Sequence, residues 1–167
     1  LEARGDDAPI ALGAVLPVEG VLREIRPGTG RSVVLGADHV EVPGPEERVA
    51  ARLQGWLRTL ARERLAEASD RYAARLGRPY TRLTLRDTRS RWGSCSSQGA
   101  LMYSWRLILA PRDVLDYVAA HEVSHLAEMN HSKAFWDTVE ALYGDWRAQR
   151  RWLHDEGGGL HRYRFGD

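Results

Sequence analysis

Cysteine occurs once, at Cys95, and lysine once, at Lys133. A lone cysteine excludes an internal disulfide and a zinc site built from cysteines alone, and it suits a reducing compartment. With lysine so scarce, 23 of the 24 basic residues are arginine. Arginine's planar fork suits carboxylates and phosphates, but these arginines are spread along the chain as a coding bias would spread them. Neither sign of charge dominates: 24 basic against 23 acidic residues leave +1, so no bulk field points to nucleic acid or to an anionic membrane. No apolar run approaches the roughly 18–20 residues that a membrane span requires. The opening residues lack a basic flank followed by an apolar stretch, so no secretory signal is visible and a cytoplasmic setting is expected.

What is present is an ordinary globular mixture, 43% hydrophobic and 28% charged in 167 residues. That length fits one domain over 1–167, large enough to bury a core without covalent staples. From Leu12 to Val42 short β-branched or apolar runs (Val15–Val18, Val21–Ile25, Ser32–Leu35, Val40–Val42) alternate with turn formers such as Glu19-Gly20 and Gly36-Ala37-Asp38. This predicts a meander of β-hairpins over residues 1–43. Residues 44–167 follow with a helix from Pro45 to Leu76, where Val49, Leu53, Trp56, Leu57, Leu60, Ala68, Tyr72 and Leu76 form one apolar stripe before Gly77. Thr81–Arg86 and Leu101–Leu109 read as strands, separated by a polar loop from Arg89 to Ser97. Helices are expected from Pro111 to Glu128, after the capping residue Ser132, and from Trp146 to His154. Strands and helices segregate along the chain, which predicts an α+β fold.

The chemistry concentrates in His121-Glu122-Val123-Ser124-His125. Helical residues four apart stand one above the other, so both imidazoles can reach one zinc ion at about 2.0–2.1 Å. Glu122 lies about 100° round the helix from His121, placed to act on a water as general base rather than as a ligand. Chance alone would produce this pattern in roughly 1–2% of shuffles of the same composition. The apolar flanks Val114, Val118 and Leu126 argue for a buried helix. His131, ten positions after His121, has the spacing of a third histidine ligand. Where the metzincin pattern carries a turn glycine this chain has Glu128, so the turn must be made otherwise, for instance at Asn130. Glu140 on the following helix is the alternative third ligand.

The stretches Arg91-Trp92-Gly93-Ser94-Cys95-Ser96-Ser97, Tyr103-Ser104-Trp105-Arg106-Leu107, Leu115-Asp116-Tyr117-Val118, His121-Glu122-x-x-His125-Leu126 and Asn130-His131-Ser132-x-x-Phe135-Trp136 closely resemble the YgjP-like metallopeptidase domain family, related to the WLM and SprT-like zincins. The resemblance runs from about Leu85 to Leu153 and more weakly back to Leu16. It implies a zincin-like fold in which N-terminal hairpins, a long helix and a small sheet precede the active-site helix and C-terminal helices. It also implies one zinc ion on His121, His125 and His131, with Glu122 as the catalytic base.

The expected activity is hydrolysis of peptide bonds in a peptide or protein substrate through a metal-activated water, three histidines leaving the fourth position open. The oxyanion needs a donor, for which Tyr103, Tyr117, Tyr143, Arg106 and His154 are candidates. The strand Leu101–Leu109 is expected to pair with an extended substrate, with Trp105 or Arg106 contacting it. Two other functions compete. One is a protein-interaction domain whose zinc is purely structural, closed by Cys95 or Glu140. The other is a DNA-associated protease, suggested by the arginines between Arg71 and Arg91. Cys95 itself reads either as an inhibitory thiolate or as an inert buried thiol.

Overall fold

Glu19-Gly20 makes the first hairpin turn, and both residues adopt positive φ, 52° and 81°. That pairing of left-handed residues gives a two-residue hairpin its strand-matching twist, and glycine accepts it at little cost. The hairpin joins β2 (Val15–Val18) to β3 (Val21–Pro27). The computed structural model describes residues 7–166. Beyond the hairpin the chain departs from a meander. β5 (His39–Val42) pairs parallel to β3, and β4 (Val34–Leu35) folds back antiparallel on β5, giving the order β2-β3-β5-β4. With only two residues, β4 is too short to cover β3, and β5 takes that place, with Glu24 and Pro27 opposite His39 and Val42. A short parallel pair joins β1 (Ala8–Pro9) to β9 (Tyr163–Arg164) near the two ends of the described chain.

The long helix α1 (Val49–Leu76) follows a 3₁₀ turn at Glu46–Arg48 and buries Val49, Leu53, Leu57, Ala61, Leu65, Ala68 and Tyr72 along one stripe. Gly77 ends it at φ 78°, its N–H donating to the carbonyls of Ala73 and Ala74. Against α1 lies a three-stranded sheet of order β6-β8-β7, where β6 is Arg82–Arg86, β7 Gly93–Cys95 and β8 Ala100–Ser104. The buried Tyr103 hydroxyl meets Ser69 of α1 at 2.9 Å, fixing the sheet's inner face on that helix.

The strand expected over Leu101–Leu109 stops at Ser104. The Ser104 hydroxyl accepts the Arg106 N–H, and Trp105–Leu109 winds into a buried 3₁₀ helix. β8 moreover lies at the centre of its sheet with both edges hydrogen-bonded, so it has no edge to offer a substrate. Trp105 and Arg106, expected to contact a substrate, are both buried. Trp105 is wholly buried, edge to face with Phe165. Arg106, 3% exposed, donates from Nε and Nη2 to Asp87 at 2.8 and 3.3 Å, and from Nη1 to the carbonyls of Leu160 and Tyr163 at 2.9 and 3.0 Å. Both residues serve the core and the docking of the C-terminal segment.

The remaining helices are α2 (Arg112–Ser124), α3 (Lys133–Tyr143) and α4 (Arg147–Glu156), the last continuing as a 3₁₀ helix over Gly157–Arg162. The β2–β3 turn pins the entry to α2: Glu19 and Gly20 donate N–H bonds to Ile108 and Leu109. A Cβ on Gly20 would lie 2.8 Å from Pro111 Cα. One apolar cluster runs from Ile10 through α1 and α2 to Phe165. The architecture is α+β, and no described helix is long and apolar enough to cross a membrane.

Burial works against the Asp87 carboxylate, but the bonds and charge of Arg106 more than offset it and hold the carboxyl below its ordinary range. Its contribution to stability is therefore complete above about pH 4 and is lost as acid takes the pH through the depressed value. Arg106→Met should lower stability by about 2–4 kcal/mol, since it strands two buried carbonyls and a part-buried carboxylate. Urea midpoints measured from pH 7 down to pH 3 check both points: the variant should be weaker at neutral pH and lose less on acidification than the parent.

Candidate metal centre

Helix α2 buries Val114, Leu115, Val118, Ala119, Ala120 and Val123, and this burial aims its polar edge at one opening. His121 and Glu122 lie in the last turn of α2, and His125 is the residue that caps it. The helix ends sooner than expected, at Ser124, and the return towards α3 is made without a left-handed residue: among the described non-glycine residues only Glu19 has positive φ. Asn130 therefore does not supply the unusual turn geometry. Ser132 caps α3 as expected, its Oγ accepting the Phe135 N–H at 3.3 Å. That cap holds His131, the preceding residue, opposite α2.

The three imidazoles converge. One ligating nitrogen from each of His121, His125 and His131 lies within 4.8 Å of the others, and their ring centroids are 4.8–5.3 Å apart. The donor set fits zinc, which takes imidazole nitrogen and is held by three protein ligands in catalytic sites. His125 Nδ1 lies 2.9 Å from the Glu128 carbonyl, which can only accept. The proton is thus on Nδ1, leaving the Nε2 lone pair for a metal. His121 Nδ1 lies 3.0 Å from Glu122 Oε2, with the same consequence for its ring. Partial desolvation at the mouth of the site, reinforced by the charges of His121 and His125, lowers the pKa of His131, which favours the neutral imidazole. Beneath all three sits Phe135, wholly buried, with centroids 5.0, 4.4 and 4.9 Å from His121, His125 and His131. Among the described residues neither Cys95 nor Glu140 joins this group.

Glu122 is only 5% exposed, and a strand passes directly over it. A Cβ on Gly93, at the start of β7, would lie 2.9 Å from Glu122 Cγ and 3.1 Å from the Met102 carbonyl. Only glycine lets β7 approach this closely. Two adjoining cavities open here. One of about 240 Å³ touches all three histidines, Glu122, Cys95 and Arg91; the other, about 230 Å³, is shared by Glu122, His121, Tyr117, Trp92 and Arg91. Burial and the Glu122 charge push the Cys95 thiol up to about 11, so it is protonated at neutral pH.

Of the donors considered for an oxyanion, the structure removes several. Tyr103 is wholly buried against Ser69, Tyr143 donates to the Asp113 carbonyl at 2.9 Å, and Arg106 is occupied as described. His154 lies on the outer face of α4, 88% exposed. Tyr117 remains. Its ring stands 6.0 Å from His121, its hydroxyl has no hydrogen-bond partner among the described residues, and burial raises its pKa to about 12. Gly93, Phe135 and Arg91 were missed as site residues by sequence reasoning. The available signal was the glycine within Arg91-Trp92-Gly93-Ser94, read there only as a loop former.

Comparison with known proteins gives two positive findings. No curated protein matches the chain. A solved structure, the crystal structure of the metallopeptidase zymogen of Pyrococcus abyssi abylysin, aligns at a TM-score of 0.49 and 19% identity, over 56% of this chain and 95% of that one. Residues 6–156 match the model of the YgjP-like metallopeptidase domain, a span that includes both helices of the histidine cluster and the strand above Glu122. The chain belongs to the YgjP-like metallopeptidase domain family.

Proposed function

We propose that the chain is a zinc-dependent peptidase, with zinc on His121, His125 and His131 and with Glu122 as general base. The observation that carries this reading is the convergence of three imidazoles and one buried carboxylate on a single open cavity. Three protein ligands are the number expected of a catalytic rather than a structural zinc site. A zinc ion held this way supplies Lewis acidity to a substrate carbonyl and brings a water into the reactive range near neutral pH.

The chain's own groups account for the rest. Glu122 lies on the cavity wall with one oxygen against His121, so it can take a proton from an attacking water and later release it to the leaving amine. Tyr117 and Arg91 border the same carboxylate and have hydrogens to donate to an oxyanion. An extended substrate fits along β7, which is the edge strand of its sheet and is hydrogen-bonded on one side only among the described residues. Its Gly93, Ser94 and Cys95 all line the histidine cavity. Main-chain bonding to β7 would hold the scissile peptide beside Glu122.

The decisive substitution is Glu122→Gln. Zinc content by atomic spectroscopy should remain at one ion per chain while hydrolysis of a quenched-fluorescence peptide mixture falls about 10²–10⁴-fold; unchanged turnover would sink the assignment. Tyr117→Phe should lower kcat about 10²-fold with little change in KM if its hydroxyl meets the oxyanion. Gly93→Ala should keep zinc yet lower turnover by about 10²-fold, because the added methyl moves Glu122 from its place. A Gly93→Ala protein as active as the parent would show that β7 has room the structure denies it.

A further inference from the structure

The sheet that carries β7 has a second, open face. Leu101 and Tyr103 point inward to the core, while alternation places Arg82, Thr84 and Arg86 of β6 on the other side. Cross-strand pairing extends this face through Met102 to Ser94 of the edge strand. The result is a basin of about 540 Å³, which shares Arg91, Ser94 and Cys95 with the histidine cavity. The basin is thus an extension of the proposed catalytic cleft.

Its charge is one-sided. Arg82, Arg86 and Arg91 line it, and among the described residues its lining holds no carboxylate. Among the described residues none of the three arginines makes an ion pair. The nearest acid in sequence, Asp87, is already engaged by Arg106 through both oxygens. All three side chains are exposed, so their guanidinium forks are free for a partner's carboxylates. The lining also contains no aromatic ring, whereas single-stranded nucleic acids are gripped by stacking bases on aromatic side chains. That absence favours a polypeptide.

We infer that the open face of the β6–β8–β7 sheet is a specificity subsite for acidic side chains, and that the substrate class is an acidic polypeptide. The inference rests on the peptidase reading of the same cleft. A substrate strand added to the free edge of β7 turns every second side chain to the open face of the sheet beside Arg91, and a chain that continues across the basin meets Arg82 and Arg86 on β6.

The test is binding, measured on the zinc-loaded Glu122→Gln protein by fluorescence anisotropy. The probes are a labelled peptide of alternating alanine and glutamate, its alanine–glutamine counterpart, and labelled oligothymidylate. The acidic peptide should bind at least about tenfold more tightly than the glutamine peptide, with affinity falling as salt rises. The double change Arg82→Glu and Arg86→Glu should remove that preference, with the melting temperature and zinc content serving as folding controls. The matched change Arg147→Glu and Arg151→Glu on α4, equal in charge but away from the basin, should preserve it. Equal binding of the two peptides, or an equal loss from the α4 variant, would overturn the subsite. Tighter binding of oligothymidylate that the Arg82/Arg86 change abolishes would overturn it in favour of nucleic acid. Because the readout does not need turnover, a failure here leaves hydrolysis by the parent protein unaffected, and an inactive parent leaves this binding result unaffected.

Discussion

The close approach of β7 to the last turn of α2 governs the arrangement of the site. Gly93 lies so near Glu122 that no side chain fits between them, and the Met102 carbonyl blocks retreat on the other side. Glu122 is therefore confined between a strand backbone and the His121 ring. A buried carboxylate is costly unless something partners it, and here the partners are an imidazole and an open cavity rather than a buried cation. The same contact places the free edge of a strand beside the histidine cluster. One packing constraint thus positions both the candidate base and the surface along which a peptide could lie.

That constraint holds because α2 is fixed from several directions. Its entry is pinned by the tip of the β2–β3 hairpin, through N–H bonds from Glu19 and Gly20 and through the contact with Pro111. Ala119 and Ala120, both wholly buried, let neighbouring elements pack closely on its flank. Phe135 supports all three imidazoles from below. His131 differs from the other two imidazoles in being exposed and in coming from the loop before α3. An ion shared by the three would therefore tie α3 to α2, coupling metal affinity to the docking of those helices.

The parts of this arrangement that were legible in the sequence are those set by local rules. His121 and His125 share a helix face by period alone, and Ser132 is recognisable as a cap because serine satisfies a free N–H at a helix start. The parallel pairing of β3 with β5 was not legible, since turn residues report where the chain bends but not which strand fills the gap. The boundary at Ser104 was hidden because Trp105–Leu109 is apolar throughout, and a short run buried on all sides carries no period to separate strand from 3₁₀ helix. Gly93 was invisible for a deeper reason. Its necessity comes from a helix residue 29 positions later, and no window along the chain contains that contact.

Arginine shows most directly why composition alone misleads. Arg106 and Arg82 are the same residue type on adjacent strands or their extensions, yet one is 3% exposed with four hydrogen bonds and the other is solvent-facing without an acid. A net charge of +1 averages over these fates. It excludes a strong field around the whole molecule, but it sets no limit on the field inside one cleft, where potentials depend on which charges are locally neutralised. Asp87, the carboxylate closest in sequence to the basin, is bound by Arg106, and Arg86 has no ion pair among the described residues. The field in the cleft is therefore set by which charges are paired locally, and the total charge of the chain does not report it.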